Sequence, residues 1–299
     1  MAAKSRMSVV LRQSLLAFLY LAAFIIPPQI IRLSEELQKE FSSPALMQQM
    51  MLALVAYSVV ASFCISYPIL HARLSGLRLI IAMILSVFGL EVFMGQIETF
   101  FFRSAFPSLS SGDILDIIIR GFLTALIFVP LAVLVLGKFA GGDGEENLAP
   151  RTSVRDWIWK VPFLAVGYVV IYFLFGYFVA WQFAEVRIFY TGSSDIVPFF
   201  QHFAKTVSDQ QWFVPFQLAR GVLWIVFSLP IIIMLAGKKR QTIMSLCLLF
   251  GLFGLQIGIP NPLFPDQVRL AHLLETTPST ALYGALIGYF LSLPPSKSS

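Results

Sequence analysis

Eight stretches of the chain are apolar over roughly the length that crosses a bilayer: 14–31, 45–70, 79–102, 114–136, 157–183, 213–236, 242–259 and 278–293. A helix needs about 20 mainly apolar residues to span a hydrocarbon core about 30 Å thick, so each stretch predicts a transmembrane helix, the first and last being the weakest matches. The pattern predicts an all-α fold: one integral membrane domain over 1–299, built as a polytopic transmembrane helix bundle of about eight spans.

The polar connections between these spans form two alternating sets, and charge tells them apart. One set, with both termini, holds Lys4, Arg6, Arg12, Arg73, Arg78, Lys138, Arg151, Arg155, Lys160, Lys238, Lys239, Arg240 and Lys297, which is 13 of the 21 basic residues. Of the 16 acids it holds only Asp143, Glu145, Glu146 and Asp156. Lys and Arg accumulate in cytoplasmic loops, so this set is assigned to the cytoplasm, with both termini and the linker 137–156 inside and the loops 184–212 and 260–277 outside. The expected location is the plasma membrane. The basic start and apolar run at the N-terminus resemble a signal peptide, but no small-x-small cleavage pattern precedes Pro27-Pro28, which predicts an uncleaved first span.

The connections contain no hidden soluble domain. The linker 137–156 carries Gly-Gly-Asp-Gly-Glu-Glu and cannot bury a core. In the outer loop 184–212, Ile196, Phe199, Phe200, Phe203 and Val207 follow helical spacing, as expected of a helix lying on the membrane surface. A shorter stripe of Val268, Leu270, Ala271 and Leu274 follows Pro260-Asn261-Pro262.

Composition agrees with lipid as the solvent: 58% of residues are apolar, 12% charged, and the mean hydropathy is +0.80. The pI near 9.3 comes from short juxtamembrane clusters, which suit anionic lipid headgroups, and no nucleic-acid-binding signature accompanies them. Membrane lipids are therefore the expected partners and nucleic acid is not. Cys64 and Cys247 both fall inside predicted spans, which argues against a disulfide framework, and His71, His202 and His272 have no second ligand at metal spacing. Neither a P-loop nor a dinucleotide fingerprint is present, so no cofactor is expected.

Spans four and six align without gaps at an offset of 100 residues. Arg120, Gly121, Leu123, Pro130, Gly137 and Lys138 match Arg220, Gly221, Leu223, Pro230, Gly237 and Lys238. Spans three and seven share a shorter motif in two competing registers, Phe88-Gly89-Leu90-Glu91 against Phe253-Gly254-Leu255-Gln256, or Phe88-Gly89-Leu90 against Phe250-Gly251-Leu252. Together the matches suggest parallel helical-hairpin repeats, an organisation common in transporters.

The informative chemistry lies in ionisable residues within the spans. Glu91 stands about 13 residues beyond Arg78, roughly 20 Å from the inner boundary at 1.5 Å per residue, and Glu98 follows two turns on, on the same face. Gly95 lies between them and leaves room for a side chain, a helix or a ligand. A carboxylate at this depth must be neutral, paired or open to water, and Arg120 and Arg220 are the expected counter-charges. Arg269, His272 and Glu275 form a second row at three-residue spacing, with the imidazole and carboxylate suited to acid–base work and the arginine to an anion. Asp113, Asp116 and Arg120 read as a helix start with an i,i+4 pair.

Three classes of function fit these residues. A transporter or permease would use Glu91, Glu98, Arg120 and Arg220 for an ion or small-molecule substrate. An integral membrane enzyme acting on a lipid or lipid-linked substrate would use His272 and Glu275 with Glu98. A structural or assembly subunit would use them only as ties between helices.

Overall fold

The computed structural model describes residues 8–140 and 154–292, and all its regular elements are helical. Residues 141–153 of the linker, and the charges assigned to 1–7 and 293–299, lie outside the described residues. Six helical stretches are long and apolar enough to cross a membrane: Val9–Ile30, Pro44–His71, Gly76–Phe101, Ser111–Val135, Trp157–Gln182 and Phe213–Met234. Large apolar side chains on them turn outward, Leu52 at 66% exposure and Phe18 at 64%, as befits a bundle whose solvent is hydrocarbon.

The helices in chain order are α1 (Val9–Ile25), α2 (Pro27–Ile30), α3 (Glu35–Glu40), α4 (Pro44–His71), α5 (Gly76–Phe88), α6 (Met94–Phe101), α7 (Ser111–Val135), α8 (Val154–Phe178), α9 (Ala184–Thr191), α10 (Phe199–Asp209), α11 (Phe213–Met234), α12 (Lys239–Gln256) and α13 (Asp266–Leu291). Local signals set their ends. The hydroxyls of Ser8, Ser34 and Ser43 cap α1, α3 and α4, and Ser110 forms a reciprocal capping box with Asp113 at the start of α7. Glycines at φ +72° and +78°, Gly137 and Gly237, follow α7 and α11, in a conformation that side chains with a Cβ resist.

The connections assigned to the cytoplasm meet at one end of the bundle. Lys138 Nζ donates to the Ala72 carbonyl and Lys238 Nζ to the His71 carbonyl, so both lysines cap the last turn of α4. The Arg73 N–H donates to the Met234 carbonyl and the Gly76 N–H to the Lys138 carbonyl. Partial burial, then the nearby Arg73 and Lys138 charges, hold the Lys238 ammonium below its ordinary pKa.

At the other end, Arg120 does not turn inward. Its Nε and Nη2 both donate to the Ile31 carbonyl, at 2.9 and 2.6 Å, and tie α7 to the exit of the first span. Asp113 accepts from the Ser34 amide and hydroxyl, which completes the same joint. The expected surface helix is α10, whose Phe199 and Phe203 rings rest on Tyr177 and Phe173 of α8 while Phe200 stays 80% exposed. α13 runs unbroken through Pro278, where a separate span was expected to begin. A proline there removes only the bond to Leu274, and packing against α12 holds the helix together.

α12 and α13 lie backbone to backbone, and their glycines are the reason. A Cβ on Gly284 would sit 2.6 Å from the Leu246 carbonyl oxygen, one on Gly288 2.7 Å from the Ile243 Cα, and one on Gly254 2.4 Å from the Thr277 Cα. Small residues four apart let membrane helices approach this closely, and Thr280 Oγ1 uses the proximity to donate to the Phe250 carbonyl at 2.7 Å. Gly284→Ala is expected to destabilise the folded protein by about 1–3 kcal/mol, since backbone rather than a mobile side chain must yield. Unfolding in detergent with rising SDS would measure it; a wild-type midpoint would show that the hairpin absorbs a methyl group freely.

Candidate functional site

Two polar constellations sit within this frame, one in the middle of the bundle and one toward the end opposite the Lys138 and Lys238 caps. The first is centred on Glu91. The third span is not a regular helix: residues Gly89–Phe93 form a π-helical segment between α5 and α6. Two glycines seat it, since a Cβ on Gly89 would overlap the Phe227 ring of α11 and one on Gly121 of α7 would overlap Val92. Such segments interrupt α-helices chiefly at functional sites.

Glu91 is 3% exposed. Its Oε2 accepts from the Tyr57 hydroxyl at 3.2 Å, and its Oε1 has no hydrogen-bond partner. The Tyr57 ring meets the edge of Tyr20, whose ring in turn meets Phe128, so helices α1, α4 and α7 close an aromatic wall around the carboxyl. Among the described residues no cation pairs with it. The expected arginine is absent because the π segment inserts one residue's worth of rotation, roughly 100°, between Glu91 and Glu98. Glu91 faces α4, whereas Glu98 faces α11. The space at Gly95 is taken by Phe253, whose ring carbon would lie 3.0 Å from an added Cβ.

Glu98 and Arg220 form the core of the second constellation. Arg220 is 1% exposed and grips the carboxylate with both terminal nitrogens at 2.7 Å, a bidentate geometry that only a guanidinium offers. Its Nη1 also donates to Gln217 Oε1 at 2.9 Å and its Nη2 to the Met94 carbonyl at 3.3 Å. The Tyr168 and Phe216 rings lie 5.7 and 5.8 Å from the guanidinium carbon. Two donors stay unmatched in this shell, Arg220 Nε and Gln217 Nε2. The Glu98 side chain is 27% exposed, so the pair is closed from within and open from without.

The row on α13 divides. Arg269 pairs with Asp266 at 2.8 Å and leaves the group. His272 Nδ1 lies 3.4 Å from Glu275 Oε2, and its Nε2 lies 3.1 Å from the Tyr190 hydroxyl of α9. The neutral tautomer with its proton on Nδ1 satisfies both contacts, giving a chain of carboxylate, imidazole and phenol. Thr276 Oγ1 donates to the same Glu275 oxygen at 2.9 Å. Desolvation of its hydroxyl, then the charges of Glu98 and Glu275, push the Tyr190 phenol above its ordinary pKa, although part of the ring is exposed. The phenol therefore keeps its proton and donates its hydrogen bond to His272 Nε2. Tyr168 and Tyr172 of α8 lie in electrostatic range of Arg220, Glu98 and Glu275, which places both groups in one region of the bundle.

Arg120 belongs to the joint with Ile31 and stands apart from both constellations. The partners that sequence reasoning missed are Tyr20, Tyr57, Gln217, Tyr168, Tyr172 and Tyr190. Only Gln217 carried a local signal, one helical turn before Arg220 on the same face. The tyrosines come from distant spans, and aromatic residues are so frequent in this chain that none stood out. No group of three His, Cys, Asp or Glu able to hold a metal is present among the described residues.

Six apolar spans and a largely lipid-facing apolar surface make this a multi-pass helical membrane protein. Comparison with family models, with curated proteins and with solved structures finds no match, so its activity rests on the geometry of its own residues.

Proposed function

We propose that the protein is a proton-coupled permease of the plasma membrane, with the outer cluster receiving an anionic small solute and Glu91 carrying the coupling proton. The observation that supports this most is the state of Glu91: buried in the middle of its span, with one neutral donor, an unpartnered oxygen and no cation beside it among the described residues. An ionised carboxylate in that setting is costly and protonation removes the cost, so charge on Glu91 belongs to a conformation that admits water. The outer pair supplies recognition. A carboxylate or phosphate on the solute competes with Glu98 for Arg220, and Glu98, already part exposed, is released toward the outside.

On this reading α12 and α13 are the seventh and eighth spans; the charged start of α12 and the polar first half of α13 lower their average hydropathy. The parallel ends of α7 and α11, each a left-handed glycine followed by a lysine that caps α4, support a duplicated hairpin. The orientation follows the basic residues, with both termini cytoplasmic. A cysteine introduced at Ser193 is expected to react with an impermeant maleimide in intact cells, and one at Gly142 only after lysis. The reverse pattern would invert the assignment.

A second reading, an enzyme acting on an outer-leaflet lipid, is favoured by the Glu275, His272 and Tyr190 chain, which resembles an acid–base relay. One experiment separates the two. The purified chain in vesicles loaded with a pH dye would be challenged with pools of amino acids, dicarboxylates and sugar phosphates. Internal acidification evoked by one pool supports the permease. Turnover of the vesicle phospholipid without any solute-evoked acidification overturns it in favour of the enzyme.

A further inference from the structure

A cleft of about 580 Å³ opens sideways between α6, α7 and the first turn of α11, and the only member of the polar constellations in its lining is Phe216, whose other side faces Arg220. Its walls are apolar, with Phe100, Phe101, Leu115 and Phe216 among them, and the Phe101 and Phe216 rings stack at 4.1 Å to form one side. Leu115 and Phe100 are 56% and 58% exposed, so the cleft faces the surrounding lipid rather than a second helix of this chain.

Its two ends differ from its walls. At the outer end Ser111 lines the cleft and accepts a hydrogen bond from Arg103 Nη1 at 3.0 Å. That neutral hydroxyl is the guanidinium's sole hydrogen-bond partner among the described residues, and Arg103 is exposed just beyond the end of α6. Gln96 lines the cleft nearly two turns deeper, roughly 10 Å at 1.5 Å per residue, and its buried Oε1 has no partner. An apolar slot with an unneutralised cation at its mouth has the charge and polarity profile of a phospholipid read from headgroup to tail.

We propose that this cleft is a binding site for one anionic phospholipid, with the phosphate at Arg103 and Ser111 and an acyl chain between Phe101, Phe216 and Leu115. The cation selects the headgroup, since juxtamembrane Arg and Lys attract anionic lipid individually. The apolar walls hold the tail whatever the head. The site stands independently of the permease reading, because it shares no residue with Glu91, Glu98 or Arg220.

Native mass spectrometry of the delipidated full chain, titrated separately with phosphatidylglycerol, phosphatidylcholine and palmitate, tests the assignment. The wild type is expected to retain one phosphatidylglycerol about fivefold more than phosphatidylcholine, the effect of one interfacial cation. Arg103→Gln should abolish that preference while keeping residual binding of both lipids. Leu115→Trp, on the lipid-facing surface and so unthreatening to the fold, should fill the slot and reduce both. Equal retention of the two phospholipids by the wild type, or an unchanged preference in Arg103→Gln, would overturn the site. Displacement of phosphatidylglycerol by equimolar palmitate would show that the slot takes fatty acid instead, and would overturn the assignment to phospholipid.

Discussion

Glu98→Ala should destabilise the protein more than Arg220→Ala, although the two residues share one ion pair. Removing Glu98 strands a guanidinium that is 1% exposed, with only Gln217 Oε1 and the Met94 carbonyl left to accept from it. Breaking a buried pair in this way costs about 3–5 kcal/mol, because the remaining charge stays desolvated. Removing Arg220 leaves a carboxylate that is already 27% exposed and can turn toward water, so the loss there should be closer to about 1–2 kcal/mol. The double variant Glu98→Gln, Arg220→Met should recover much of the deficit, since neither charge is then buried alone. Unfolding midpoints of the three variants in nanodiscs give the order directly. Equal losses for the two alanine variants would mean that Arg220 reaches solvent by a route the packing does not show.

That asymmetry was only half legible in the sequence. Charges at Glu98 and Arg220 stood out because ionisable residues are costly in a span, and hydropathy alone placed the six long apolar helices, although not the start of α13. Their pairing did not follow. Regular helix geometry places Glu91 and Glu98 on one face, and the arginines then look like partners for either. The π segment at Gly89–Phe93 breaks that phase, and its cause is tertiary: Phe227 and Val92 press into the spaces at Gly89 and Gly121, from contacts far apart in the chain. The alignment of spans four and six was similarly misleading at one position. Arg120 and Arg220 align in sequence, yet Arg120 meets the Ile31 carbonyl while Arg220 meets a carboxylate, because the first span exits beside α7 and α6 ends beside α11. The glycines of α13 were present in the sequence throughout, but a spacing of four between small residues gains meaning only once a backbone is known to lie against them.

The geometry around Glu91 gives the remaining large effect. If the protein is the proposed permease, Glu91→Gln should reduce proton-driven uptake of the solute to the level of protein-free vesicles while leaving solute exchange, measured with equal pH on both sides, near the wild-type rate. An amide keeps the size of the carboxyl, and its oxygen can accept from Tyr57 as Oε2 does. Its nitrogen would replace an Oε1 that is already unpartnered, so the packing loses no existing bond and the fold should be retained. What the amide cannot do is gain or lose a proton in this range of pH. Coupling and packing are thereby separated at a single atom. Tyr57→Phe removes the donor without removing the titrating group, so it should slow coupled uptake and alter its pH profile without abolishing it. Gradient-driven uptake that persists in Glu91→Gln would exclude Glu91 as the proton carrier, and loss of exchange together with uptake would assign the residue to solute binding or to the integrity of the bundle instead.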